Sequence, residues 1–149
     1  MDDIAMMREA LALARQTLSQ ANAALAERFS PRLVREASAI FSELTGGRYA
    51  RVQLSRQMEP EAAQPDAAMH RARFLSGGTV DELYLSVRLA VCRLLLPEDA
   101  PILLDDALVM FDDDRLRLAL HLLRREAETR QILLFTCQSR EKRCLSADG

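Results

Sequence analysis

Nowhere in this 149-residue chain is there a Gly-x-x-x-x-Gly-Lys-Ser/Thr run, the loop that wraps the β- and γ-phosphates of a nucleotide. An apolar run approaching the roughly 18 residues of a membrane span is also missing. The acidic start lacks the charged-then-apolar pattern of a secretory leader. Cysteine is sparse and odd in number, Cys92, Cys137 and Cys144, without metal-ligand spacing, so these read as reduced thiols of a cytosolic protein. There is no basic excess either. A formal net charge of −2 and a pI near 5.7 exclude a whole-chain electrostatic footprint for nucleic acid or membrane. Arginine supplies nearly all the positive charge, so a local basic face stays open. These absences leave a cytoplasmic chain with no membrane partner as the expectation.

What is present is enough apolar residue, 49% of the chain, for one core of ordinary size and therefore one domain. The chain starts with a helical pattern over about Asp2 to Arg28. Ile4, Leu11, Leu18 and Leu25 repeat as a heptad, with Met7, Ala14 and Ala21 between them. Two readings stand level: the end of a coiled coil, or one amphipathic helix lying on its own domain. Ser30-Pro31 suits a cap and a first helical position, which sets a boundary between a helix over 1–29 and a lobe over 30–149. A second helix, to about Leu44, carries Leu33, Ala37, Ile40, Phe41 and Leu44 on one face, and Gly46-Gly47 ends it. Arg48 to Leu54 alternates as a short half-buried strand. From Ser55 to about Arg73 the pattern dissolves into Pro, Ala, Glu and Gln. That stretch reads as an exposed loop, long enough to suggest a function or a lost hairpin.

Ser76-Gly77-Gly78 opens onto an apolar-periodic helix from Val80 to Leu96, whose expected buried face is Val80, Leu83, Val87, Ala90, Val91, Leu94 and Leu95. A glycine-rich turn at a helix N-terminus gathers unpaired N–H groups and the positive dipole end, a setting suited to phosphate. Gly77 and Gly78 would let backbone approach a ligand with no Cβ in the way. The plainer alternative is an N-capped helix after a loop, with Thr79 and Glu82 as part of its capping. Further on, Ile102-Leu103-Leu104 reads as a buried parallel strand and ends in Asp105-Asp106. A helix over about Asp113 to Glu128 and a second buried strand over Gln131 to Thr136 complete a βαβ unit, before a polar tail with one short helix. Carboxylates at the carboxyl end of such a strand sit where ligands of open α/β sheets bind, and can serve Mg²⁺ or an attacking water.

Leu75-Ser76-Gly77-Gly78-Thr79-Val80-Asp81-Glu82 resembles the signature loop of ABC-type ATPases, in the version of the SMC, RecN, RecF and SbcC-like proteins of chromosome maintenance and DNA repair. Ile102 to Asp106 resembles their Walker B strand, Phe111-Asp112 their D-loop, and Ile132 to Gln138 the strand and switch that follow. Phe41 to Val52 is similar to the segment where the coiled coil re-enters the head. The resemblance thus covers about Phe41 to Gln138, in family order.

It implies an α/β fold: the C-terminal lobe of a P-loop NTPase-like ABC ATPase head, with a short parallel sheet, preceded by the end of a coiled coil. It also implies ATP and Mg²⁺ as cofactors. Leu75, Ser76, Gly77, Gly78 and Thr79 would bind ATP held by the opposite head, Asp105 would serve the magnesium, and Asp106 the attacking water. Gln138 would stand at the switch and Asp112 would meet the partner subunit. The sequence departs from the family at Asp106, where many relatives have Glu, and at Gln138, where histidine is usual. Glutamine can hydrogen-bond a phosphate or water but cannot share a proton as imidazole does. With no Walker A loop of its own, the chain is expected to hydrolyse ATP only beside a Walker A lobe. Its implied partners are that N-terminal lobe or a second head, a homodimer included, and DNA by resemblance alone. The alternative is a non-catalytic interaction module, or a shortened remnant that docks a partner.

Overall fold

The computed structural model describes residues 2–55, 59–97 and 99–147, and their side chains except those of 2, 3, 5, 22–30 and 147. The chain divides into two units, Met1–Arg32 and Leu33–Gly149.

Helix α1 spans Asp2–Leu44 with Pro31 inside it, so the break expected at Ser30-Pro31 does not occur. An internal proline forfeits one backbone hydrogen bond and crowds the turn before it, a cost of about 3 kcal/mol. The turns that follow offset it by burying Leu33, Ala37, Ile40, Phe41 and Leu44, the face read from the sequence. Earlier in α1, Ile4, Met7, Leu11 and Leu18 of the heptad are exposed, as are Ala14 and Ala21; the Leu25 side chain lies outside the described residues. Gly46 and Gly47, at φ of +59° and +82°, end the helix in the left-handed region that a Cβ disfavours.

Three short strands follow: β1 (Arg51–Leu54), β2 (Pro60–Ala63) and β3 (His70–Arg71), antiparallel in that order. Arg51 pairs with Ala63 and Leu54 with Pro60. The exposed loop expected over 55–73 is therefore corrected. Its middle is a strand with Ala62 and Ala63 fully buried, and a 3-10 turn over Ala72–Phe74 leads out of β3. Alanine, proline and glutamate are weak strand formers. What holds β2 is pairing on both edges and the burial of side chains small enough to pass under α2, which spans Gly77–Leu95.

Strands β4 (Ile102–Asp105) and β5 (Ile132–Phe135) flank α3 (Asp113–Glu126), and α4 (Ser139–Ala147) closes the chain. The pair is parallel, in register Ile102↔Ile132 to Asp105↔Phe135, so the βαβ expectation holds. The expectation of strands buried on both faces does not. Ile102 and Leu104 enter the core with Leu83, Leu89, Leu116 and Leu122, whereas Leu103 is 62% exposed and Phe135 53%. Parallel sheets are normally covered on both sides, and here one side is bare.

The inward face of α2 is broader than the one expected, with Leu83 and Ala90 buried and Val87, Val91 and Leu94 packed against the core. Thr79, Glu82, Leu83, Leu85, Ser86, Leu89 and Ala90 are buried, while Leu95 is exposed. Toward the C-terminal end of α2 a polar side chain binds across helices. Arg93 ion-pairs with Glu126 and with Glu36 (3.2 Å), which ties α1, α2 and α3 together. Among the described residues, no helix is long and apolar enough to cross a membrane.

Candidate functional site

Leu75 is extended (φ −91°, ψ 160°), and so is Ser76 (φ −66°, ψ 153°), which occupies the N-cap of α2. The Ser76 hydroxyl makes no capping hydrogen bond; it lies 2.9 Å from Thr79 Oγ1. Glu82 turns inward, 1% exposed, with Oε1 3.5 Å from Arg115 Nε. The helix thus has an N-cap position at Ser76, but neither Thr79 nor Glu82 caps it through its side chain, the part the plainer alternative gave them.

Ser76 and Gly77 are exposed, Gly78 is half-buried and Thr79 buried. The two glycines differ. A Cβ on Gly77 would find only Met110 Cε, at 4.0 Å. A Cβ on Gly78 would overlap the Arg115 guanidinium and lie 3.2 Å from the Met110 carbonyl oxygen. The room left by Gly78 is thus taken by the protein's own side chain, and Gly77 presents the open side.

Asp105 is exposed at the last position of β4. Asp106 adopts φ +47°, a left-handed conformation that aspartate tolerates better than most residues. Its N–H donates to the Phe135 carbonyl (2.9 Å), and its Oδ1 accepts from the Cys137 N–H (3.2 Å). The carboxylate is thereby joined to the segment carrying Gln138, whose own N–H donates to Thr136 Oγ1 at 3.1 Å. Asp112 caps α3 by accepting from the Arg115 N–H at 2.9 Å. Among the described residues there is no group of three or more His, Cys, Asp or Glu able to hold a metal. A lone strand-end Asp105 fits the binding habit of Mg²⁺, which takes one or two carboxylates and completes its shell with water and phosphate.

Two arginines escaped the sequence reading. Arg140, on α4, donates to the carbonyls of Phe111 (2.5 Å), Leu108 (3.0 Å) and Val109 (3.0 Å), gripping the loop between Asp106 and Asp112. Arg115 donates to Thr79 Oγ1 at 3.2 Å and lies 3.4 Å from Asp112 Oδ2. Nothing in the sequence separates these two from the other arginines, because what distinguishes them is the loop they reach. Beside Arg115 is a cavity of about 170 Å³, lined by Thr45, Arg48, Tyr49, Glu82 and Asp112 among others. Burial pushes the Glu82 carboxyl up to about 7. Arg115 pulls against that rise, Asp112 adds to it, and Arg48 opposes it more weakly.

Known structures share this fold over most of the chain. A structure from work on ATP-driven dimerisation and DNA-stimulated activation of SMC ATPases superposes with a TM-score of 0.68 and 19% identity, over 80% of this chain and 76% of that one. The fold is that of an SMC head. An SMC head domain with an extended coiled coil from Pyrococcus furiosus, bound to the C-terminal domain of ScpA, matches 91% of this chain at TM-score 0.65 and 17% identity. The SMC head domain from Thermotoga maritima matches 76% at TM-score 0.60 and 18% identity. This chain spans 35% and 40% of those two heads. It is also 36% identical over 115 residues to the uncharacterized protein YhaN of Bacillus subtilis, and spans 12% of that relative's length. No family model matches the chain. The partial coverage accords with the C-terminal lobe of an SMC-like head, which the signature, strand and switch segments led us to expect.

Proposed function

We propose that this chain is the C-terminal lobe of an SMC/SbcC-like ATPase head, acting in DNA repair or chromosome maintenance, and that it binds and hydrolyses ATP only in company with a Walker A lobe. The single observation that carries the reading is the bare apolar face of β4 and β5, with Leu103 at 62% and Phe135 at 53% exposure. A two-stranded parallel sheet cannot stand as a finished element. Its open side calls for the remainder of a head, and that remainder would bring the phosphate loop this sequence lacks.

On this reading the chain's own groups divide the work. Ser76 Oγ and the backbone of the exposed Ser76 and Gly77 face a phosphate held by the opposite head, at a helix end suited to anions. Leu75, Gly78 and Thr79 hold that turn in shape. Asp105 is the carboxylate available to Mg²⁺, which when bound would neutralise phosphate charge. Asp106, tethered to the Cys137 N–H, and Gln138 orient water near the strand end. Asp112 faces the partner head, a second copy of the same head included.

The test is Mg-ATP hydrolysis by the purified chain alone and after mixing with a Walker A lobe of an SMC-like head. The expected result is activity and stable association in the mixture and neither hydrolysis nor sub-micromolar ATP binding by the chain alone. Tight binding of ATP by the isolated chain, or failure of the two lobes to associate, overturns the proposal. Association without turnover favours a docking module, for which the Gln138 and Asp106 departures are the chemical grounds.

A further inference from the structure

Arg115 faces Thr79 Oγ1, Glu82 Oε1 and Asp112 Oδ2 at 3.2, 3.5 and 3.4 Å, and its own N–H is capped by Asp112 Oδ1. Its side chain is 19% exposed and that of Glu82 1%, so this pair is screened less than a surface pair, whereas the Asp112 side chain is 63% exposed. The segments it joins are far apart in sequence and packed together in space: the first turn of α2 and the loop that enters α3. We propose that Arg115 is a positioning residue, which ties the Ser76–Thr79 turn to Asp112 so that the two segments offered to a partner head move as one piece. The inference rests on the function proposed above for its consequence, but not for its geometry.

The chemistry selects arginine. A planar guanidinium has donors on several edges and can meet a hydroxyl and two carboxylates at once, whereas an ammonium is a single point. Gly78 is part of the same device, because a Cβ there would overlap the guanidinium. A glycine that looks reserved for ligand approach is instead the seat of this side chain. From the far side, Arg140 holds the Leu108, Val109 and Phe111 carbonyls, so the loop carrying Asp112 is fixed at both ends. A shift of Arg115 therefore moves the turn and Asp112 relative to each other rather than letting the whole loop follow.

A thermal-unfolding cycle on the full chain tests the bridge. Gly78→Ala and Asp112→Ala, made singly and together, should be non-additive in the parent, because each disturbs the same guanidinium. In an Arg115→Met background their shifts in Tm should add; Arg115→Lys serves if the Met variant does not fold. Additive shifts in the parent overturn the bridge. The second measurement is the ATP concentration needed for half-maximal pairing with a Walker A lobe. Arg115→Met should raise it about tenfold, a coupling of ordinary size between linked groups, while Arg117→Met, at an exposed pair with Asp114, should leave it unchanged. An unchanged requirement in Arg115→Met overturns the positioning role. If the parent itself shows no ATP-dependent pairing, the proposed function falls and the thermal cycle still decides the bridge.

Discussion

The two sheets of this lobe are built on opposite terms. The antiparallel one is made of small or ordinary side chains and finishes itself: Val52, Ala62 and Ala63 are buried, and β2 has a strand on each edge. The parallel one is made of leucine, isoleucine and phenylalanine, yet only its inward residues find cover within this chain. Large apolar side chains on β4 and β5 are therefore not the mark of a finished core. Intrinsic strand strength and self-sufficiency come apart here, because a sheet face is stabilised by what lies on it.

Substitutions can sharpen that contrast. The largest effect should come from Leu116→Ala, on the closed side. Leu116 is fully buried, and lost transfer energy plus a cavity should cost about 3 kcal/mol in chemical unfolding. Arg93→Ala comes next, at about 2 kcal/mol. It strands Glu126, only 8% exposed, but Arg93 itself is partly wet and the loss is screened accordingly. Glu82→Gln should act through pH. The folded-state carboxyl is raised from 4.5 to about 7, so the folded chain holds the proton more tightly than the unfolded one. That contribution is complete below about 4.5 and is lost as pH rises through about 7. The glutamine variant should flatten this part of a Tm-against-pH curve and gain on the parent at pH 8. Phe135→Ser, on the open face, should change unfolding free energy least, within about 0.5 kcal/mol. It should nonetheless abolish association with a Walker A lobe, and a large stability loss would mean that the face is already closed.

The elements legible in the sequence were those whose periodicity reports on this chain alone. The Leu33-to-Leu44 stripe, the helix α3 and the βαβ order all came through. The β2 strand did not, because Pro60, Glu61, Ala62 and Ala63 carry no strand preference and owe their conformation to neighbours. The bare face was unreadable for a different reason: Ile102-Leu103-Leu104 looks the same whether its second cover belongs to the same lobe or another. The inward turn of Thr79, Glu82 and Ser86 on α2 hid behind the habit of placing polar residues outside. Thr79 and Glu82 meet Arg115, which lies far away in sequence and close in space, while Ser86 donates to the Leu83 carbonyl of its own helix. At the candidate site, Arg115 and Arg140, which reach the turn and the loop from far away in sequence, were not among the residues read from the sequence.

The left-handed backbone at Asp106 decides which experiment on that residue can be interpreted. Glutamate looks like the gentler replacement, since it keeps the charge and adds one methylene. Yet it would enter a φ of +47° without the short polar side chain that eases Asp and Asn into this region, which other residues resist by about 1–2 kcal/mol, and its longer reach would misplace the acceptor of the Cys137 N–H. Asparagine accepts the same backbone and can keep the same acceptor. Asp106→Asn therefore removes a charge and little else, whereas Asp106→Glu changes the bend of the chain and the reach of the acid together.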